Sequence, residues 1–216
     1  TGACFVDAGA SDPERLRLVC AFGALDVVVY PGPTPADVVR RFTAHVGRSA
    51  LPPRWALGHH QSRWSYRSER EVLALADDLR RHGIPTDAIH LDIDHMRGYR
   101  VFTWAPKRFP DTKRMTAKLA QQGMRAVAIT DPGVKVDDDF ALFREGVEHD
   151  YFLRARDGAR FALRVWPGDS ALPDFARADV RDWWARHHAP LLDAGVSGIW
   201  EDMNEPAGWK RDLRFG

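Results

Sequence analysis

Only two cysteines occur in the 216 residues, Cys4 and Cys20. Two thiols are too few for a disulfide framework or a structural zinc site, so a reducing, cytoplasmic setting is the default expectation. No apolar run approaches the ~18 residues that a membrane-crossing helix needs. Nothing before Phe5 has the basic and apolar regions of a signal peptide, so the start at Thr1 reads as a cut or processed end. An excess of charge is missing too. With 31 Lys and Arg against 30 Asp and Glu, the formal charge of +1 gives no electrostatic reason to expect nucleic acid or an anionic membrane as partner. No Gly-x-Gly-x-x-Gly or phosphate loop follows an apolar run, which leaves a nucleotide fold without support. There is no low-complexity tract and no internal repeat beyond a strand–helix unit. What remains is 44% hydrophobic and 28% charged, a globular composition long enough for one large core or two small ones.

Eight tryptophans are many for this length, and several stand beside acids rather than in apolar runs, which suggests a polar cleft with aromatic walls. Along the chain, Leu16 to Tyr30 reads as strand, closing on Asp26-Val27-Val28-Val29-Tyr30 and the turn signal Pro31-Gly32-Pro33. Thr34 then caps a helix with Pro35 in first position, an apolar stripe of Val38, Val39, Phe42 and Val46, and Gly47 as its stop. A solitary β stretch cannot bury both faces, so residues 1–49 are expected to end a β domain begun upstream and to supply its linking helix.

From residue 50 onward the pattern alternates. Trp55-Ala56-Leu57-Gly58, Ala88 to Asp92, Ala126 to Ile129 and Ile199-Trp200 read as buried strands. Between them lie helices capped by Ser68 with Glu71, by Asp111 and by Asp179, stopped at Gly83, Gly123 and Gly195, with a kink expected at Pro190. Such alternation implies βαβ crossovers and a parallel sheet. An insertion at about 134–168 reads as a hairpin, Tyr151 to Arg156 against Arg160 to Val165 around Asp157-Gly158, delivering Val165-Trp166-Pro167-Gly168 back toward the sheet.

The chemistry gathers where these strands end: His59-His60-Gln61, Asp92-Ile93-Asp94, Thr130-Asp131 and Glu201-Asp202. One such acid is commonly a helix cap or a solvated turn. Three parallel strands that all end in Asp converge on one crevice, where carboxylates repel and need a partner or a raised pKa. Trp64, Trp104, Trp166 and Trp200 could offer flat faces to a sugar, whereas Trp55, Trp183 and Trp184 read as core. Metal-assisted hydrolysis with His59, His60, Asp92 and Asp202 as ligands is one alternative. Adjacent residues of a regular strand point to opposite faces, however, which counts against His59 and His60 as a ligand pair. The other is glycoside hydrolysis by paired carboxylates, needing no cofactor.

Several segments decide between them. Pro52-Pro53-Arg54-Trp55-Ala56-Leu57-Gly58 leading to His60-Gln61-Ser62-Arg63-Trp64-Ser65-Tyr66, then Leu91-Asp92-Ile93-Asp94-His95-Met96, Phe102-Thr103-Trp104, Phe109-Pro110-Asp111, Val165-Trp166-Pro167-Gly168 and Trp200 to Pro206 resemble glycoside hydrolase family 31, the retaining α-glucosidases, in order and spacing. The resemblance implies an α/β fold, the first half of a (β/α)8 barrel preceded by the C-terminal end of a β-sandwich domain, acting on a small α-glucoside. It makes Asp202 the nucleophile, Glu205 a supporting acid, Asp92 a ligand of sugar hydroxyls, and Ile129, Trp166, Trp200 and Met203 the walls of the subsite that holds the reacting sugar. Glu201 stands where an apolar or amide residue is expected. The family's acid/base lies further downstream, so the chain is expected to be a segment of a longer enzyme, inactive alone. A non-catalytic sugar-binding fragment, an α-xylosidase or a transglycosidase are the alternatives.

Overall fold

A computed structural model describes residues 4–20, 25–155, 157–205 and 207. The described residues divide into two compact units, one up to Leu51 and one from Pro52 onward.

In the first unit, β1 (Cys4–Ala8) and β2 (Leu16–Cys20) form an antiparallel ribbon in the register Cys4↔Cys20 to Ala8↔Leu16. The Asp7 carboxylate accepts the backbone N–H of Ala10 at 2.8 Å and closes the turn, which Gly9 enters with φ of 89°. Asp26 to Tyr30 is not the strand expected. Among the described residues it joins no ladder, and Val27, Val28 and Val29 are more than half exposed; residues 21–24 of the expected stretch lie outside the described residues. β propensity alone does not hold a strand that has no neighbour to bond. The helix α1 (Pro35–Val46) starts as the sequence implies, with Thr34 Oγ1 accepting the Asp37 N–H and Pro35 opening the first turn, and it stops at Gly47.

In the second unit the strands β3 (His60–Gln61), β4 (Ala88–Leu91), β5 (Arg125–Thr130) and β9 (Gly198–Glu201) lie side by side in that order, all parallel. The helices α2 (Glu69–Arg81), α3 (Thr112–Gln121), α5 (Ala178–Arg186) and α6 (Ala189–Leu192) occupy the connections. Ser68 Oγ caps α2 through the Glu71 N–H, and the Glu71 carboxylate returns to the Arg67 N–H at 2.7 Å. Asp111 caps α3 through the Arg114 N–H. Asp179 is not a cap. Arg177 holds that position, and Asp179 sits in the first turn of α5 paired with Arg177 at 2.6 Å, where an acid still complements the helix dipole. Pro190 divides α5 from α6 rather than bending one helix.

One side of the sheet is apolar and covered. Ile89, Leu91 and Ala126 pack against Val72, Ala76 and Leu79 of α2 and Met115 and Leu119 of α3, while Ala128 joins Val180, Trp183, Trp184 and Leu191. Trp183 is fully buried, as the sequence implies for core. Because side chains alternate along a strand, this packing places His90, Asp92, Val127, Ile129 and Asp131 on the other side of β4 and β5. Ile199 packs with the helices, so Trp200 and Asp202 share that other side too.

Two further expectations are corrected. Trp55 to Gly58 is a 3-10 turn over Arg54–Leu57, not a buried strand, and the strand begins at His60. Pro53 presets the turn, the Ala56 N–H donates to its carbonyl at 2.9 Å, and Gly58 passes so close to Asp87 that a Cβ there would lie 1.9 Å from a carboxylate oxygen. The insertion is a three-stranded antiparallel sheet in the order β6 (Val134–Lys135), β8 (Gly168–Ala171), β7 (Ala162–Val165), with the helix α4 (Ala141–Glu148). The chain reverses twice, at Asp157-Gly158 as expected, where the Ala155 N–H donates to the Ala159 carbonyl at 2.7 Å and Gly158 has φ of 82°, and again at Trp166-Pro167, with Gly168 in the left-handed region. Across the first reversal the pairing is short, a bridge between Arg154 and Arg160, while the full ladder forms across the second. Arg156 lies outside the described residues.

Candidate active site

At the carboxyl ends of β4, β5 and β9 stand Asp92, Asp131 and Asp202. Strand register sets them together. Ala128 faces Leu91 on one side and Ile199 on the other, so the residues just beyond these strands meet at one mouth. Asp92 accepts the N–H of Ile93 on Oδ1 at 2.7 Å, and Asp202 accepts the N–H of Met203 on Oδ1 at 2.9 Å. The two acids therefore use the same device: one oxygen is held by the next backbone N–H, which leaves Oδ2 for another partner. After Asp202, Met203 has φ of 59°, a left-handed conformation rare outside glycine. Burial pushes the Asp92 carboxyl above the ordinary carboxylate range, and although the Ile93 N–H pulls it down, the negative charges of Asp202 and Asp94 add to the rise.

Asp131 is the most enclosed of the three, 7% exposed, with Oδ1 meeting no hydrogen-bond partner. Burial first, then the charges of Asp202, Asp92 and Glu201, lift its pKa to about 7. Asp94 is drawn away from the mouth by Arg108 at 3.2 Å and Arg67 at 3.8 Å. Glu201 points to the helix side of β9, 3.4 Å from His188. Burial pulls the His188 imidazolium down, but the Glu201 carboxylate and the Trp184 carbonyl outweigh it and the net shift is upward.

Ile129, Trp166 and Trp200 come together in one apolar cluster with Ile93, Met96 and Tyr99, and Trp64 leans on Trp166 with ring centroids 5.6 Å apart. Met203 belongs to a separate cluster with Leu163, Val165 and Leu172. Glu205 is exposed in the turn after β9. The two histidines offered as metal ligands diverge. His59 Nδ1 meets Thr86 Oγ1 at 3.1 Å, whereas His60 Nδ1 meets His90 Nε2 and its Nε2 meets the Trp55 carbonyl, both at 3.1 Å. Among the described residues no group of three His, Cys, Asp or Glu could hold a metal ion.

His95 is a residue the sequence reading did not single out. It is fully buried against Trp104, its Nδ1 lies 3.0 Å from the Asp92 carbonyl, and it braces the turn that aims Asp92. Only the hydrophobic run into Leu91-Asp92-Ile93 hinted that this turn is internal. Desolvation lowers its pKa to about 4, against the opposing pull of the Asp92 and Leu91 backbone. The folded protein therefore holds His95 neutral, while the unfolded chain takes up a proton below about pH 6.5. Stability should be complete above that pH and fall as the pH drops toward 4, by up to about 3 kcal/mol. Urea unfolding of a full-length enzyme carrying this segment, at several pH values, checks this; His95→Asn, which keeps a donor toward Asp92, should flatten the dependence, and an unchanged slope would refute it.

A sheet of parallel strands with carboxylates at its carboxyl mouth and tryptophans beside them is the architecture of a (β/α)-barrel hydrolase. The profile of the glycosyl hydrolases family 31 TIM-barrel domain matches residues 49–214, and the chain belongs to that family. It is 50% identical over 185 residues to alpha-glucosidase 2 of Bacillus thermoamyloliquefaciens, covering 86% of this chain and 24% of that protein. The crystal structure of a family 31 alpha-glucosidase from Bacteroides thetaiotaomicron superposes with a TM-score of 0.85 at 36% identity, over 96% of this chain and 35% of that one. A family 31 dextranase from Flavobacterium johnsoniae, complexed with isomaltotriose, superposes with a TM-score of 0.76 at 27% identity, over 84% and 22%. The chain thus spans about a quarter to a third of the length of these relatives.

Proposed function

We propose that this chain contributes the nucleophile half of the active site of a retaining α-glucosidase that removes terminal α-linked glucose. The observation that carries the reading is the shared mouth of Asp92, Asp131 and Asp202 beside the Ile129, Trp166 and Trp200 wall. Asp202 serves as the nucleophile. Its Oδ1 is pinned by the Met203 N–H, so Oδ2 is the oxygen free to attack the anomeric carbon and form the glycosyl-enzyme bond. The attack breaks the glycosidic bond, and an acid/base supplied from outside this chain gives the leaving oxygen its proton. That group then takes a proton from the water that releases the sugar. Asp92 accepts sugar hydroxyls on the oxygen that Ile93 leaves free, and Trp166 and Trp200 place apolar faces against the ring. Glu205 follows Asp202 in the same turn as a supporting acid, and Met203 adds to the wall of the subsite.

A full-length enzyme carrying this segment, given an activated α-glucoside in an NMR tube, should release α-glucose first, before mutarotation. Release of the β anomer, or no hydrolysis of α-glucosides, would reject the reading.

A further inference from the structure

Asp131 has no place in the reaction just derived, yet it is the most buried of the three strand-end acids. It sits on β5, between the strands that carry Asp92 and Asp202. Its Oδ1 has no hydrogen-bond partner, and among the described residues no Lys, Arg or His pairs with it. Among the described residues the charges that act on it are those of acids, Asp92 from β4, and Asp202 and Glu201 from β9. A carboxylate so enclosed, without a cation and flanked by anions, is far more costly than a carboxylic acid in the same place. When neighbouring acids cannot all ionise, the proton goes to the least solvated member.

We infer that Asp131 is a positioning residue: it is the strand-end acid that carries a proton, so that the site does not place a third negative charge beside Asp92 and Asp202. The inference rests on the α-glucosidase reading for its consequence, though not for the protonation itself. It gives Asp131 a task different in kind from its neighbours'. Asp92 and Asp202 need negative charge, one to accept hydroxyl protons and one to attack carbon. Asp131 needs to be neutral, and its surroundings favour that state at mildly acidic pH. Once it ionises, three adjacent anions repel one another and the geometry that the Ile93 and Met203 N–H groups set at the two outer acids is strained.

The test uses a full-length enzyme carrying this segment and two variants, with kcat/KM followed against pH. Asp131→Ala removes the buried carboxyl and leaves a gap between the two outer acids, so it should lower kcat/KM on the order of tenfold near pH 6. Asp131→Asn keeps the shape and an N–H donor but cannot ionise. It should recover most of that loss and extend activity upward through pH 7 to 8, where the wild type declines. A second readout does not depend on turnover. The infrared difference between wild type and Asp131→Asn near pH 6 should show a protonated carboxyl C=O stretch that vanishes as the pH passes about 7. Absence of that band, or an Asn variant as impaired as the Ala variant with an unshifted profile, would overturn the inference by showing that the charge of Asp131 is what the site uses. An enzyme that keeps its hydrolysis after Asp202→Ala would instead refute the functional reading while leaving the infrared band in place, so the two failures are distinguishable.

Discussion

Asp202→Ala, in a full-length enzyme carrying this segment, should lower kcat by at least about three orders of magnitude and leave the fold intact. The fold should survive because Asp202 is half-buried at a strand end, and its removal deletes one hydrogen bond, from the Met203 N–H, with no gap in the packed core. The rate should not survive. In the proposed mechanism every turnover passes through a bond to one Asp202 oxygen, and Asp92 and Asp131 project from different strands, with Asp92 held by the Ile93 N–H. Azide should restore part of the turnover with an activated α-glucoside. A small anion fills the vacated space and attacks the anomeric carbon from the same side, so the product is the β-glycosyl azide, with inverted configuration. Asp92→Ala should also slow the reaction, since hydrogen bonds to sugar hydroxyls strengthen in the transition state, but azide should not rescue it because its nucleophile is still present. Rescue of Asp92→Ala rather than Asp202→Ala, or an Asp202→Ala enzyme within about tenfold of wild type, would assign the nucleophile to the wrong strand.

Much of this architecture was legible because the local and tertiary signals agree. Val72, Ala76 and Leu79 recur at helical spacing and face the sheet, Ser68 and Asp111 cap the helices that follow them, and Asp92 and Asp202 each end a run of strand-forming residues. The misreadings come from places where partners decide. Val27 to Val29 has the composition of a strand but no ladder, and Trp55 to Leu57 is apolar yet follows two prolines that start a turn. Asp157-Gly158 does turn the chain, but the ladder forms across the next reversal at Trp166-Pro167, where pairing of β7 with β8 buries Leu163 and Val165 with Leu172. At the site, residue type located the acids, but only packing separates their tasks. Asp94 is consumed by two arginines, Glu201 by the helix side, and Asp131 by burial. His95 stayed silent because a buried histidine that hydrogen-bonds one carbonyl carries no spacing rule.

The 216-residue chain produced by itself should associate rather than persist as a folded monomer. Its parallel sheet has β3 at one end and β9 at the other, and among the described residues neither outer strand pairs with anything on its far edge. β9 is the more exposed of the two liabilities. It is four residues long and parallel to β5, and every residue of the strand is partly open to solvent. Rows of unpaired N–H and C=O groups are templates for a second copy of the same strand. The face that a barrel would enclose is also uncovered: His90 and Trp200 lie on it half-buried, and Trp64 is 70% exposed near its mouth. In the relatives, which are about three to five times longer, additional chain is available to cover such edges. Charge offers little protection, since a net charge of +1 leaves copies almost without mutual repulsion. Light scattering coupled to size exclusion should therefore show mass above that of a monomer at about 10 μM, rising with concentration, together with a broad, weakly cooperative thermal transition. A monodisperse 24.4 kDa species with a sharp melt would contradict this, and would mean that the four-strand sheet with its insertion closes its own edges well enough to stand alone.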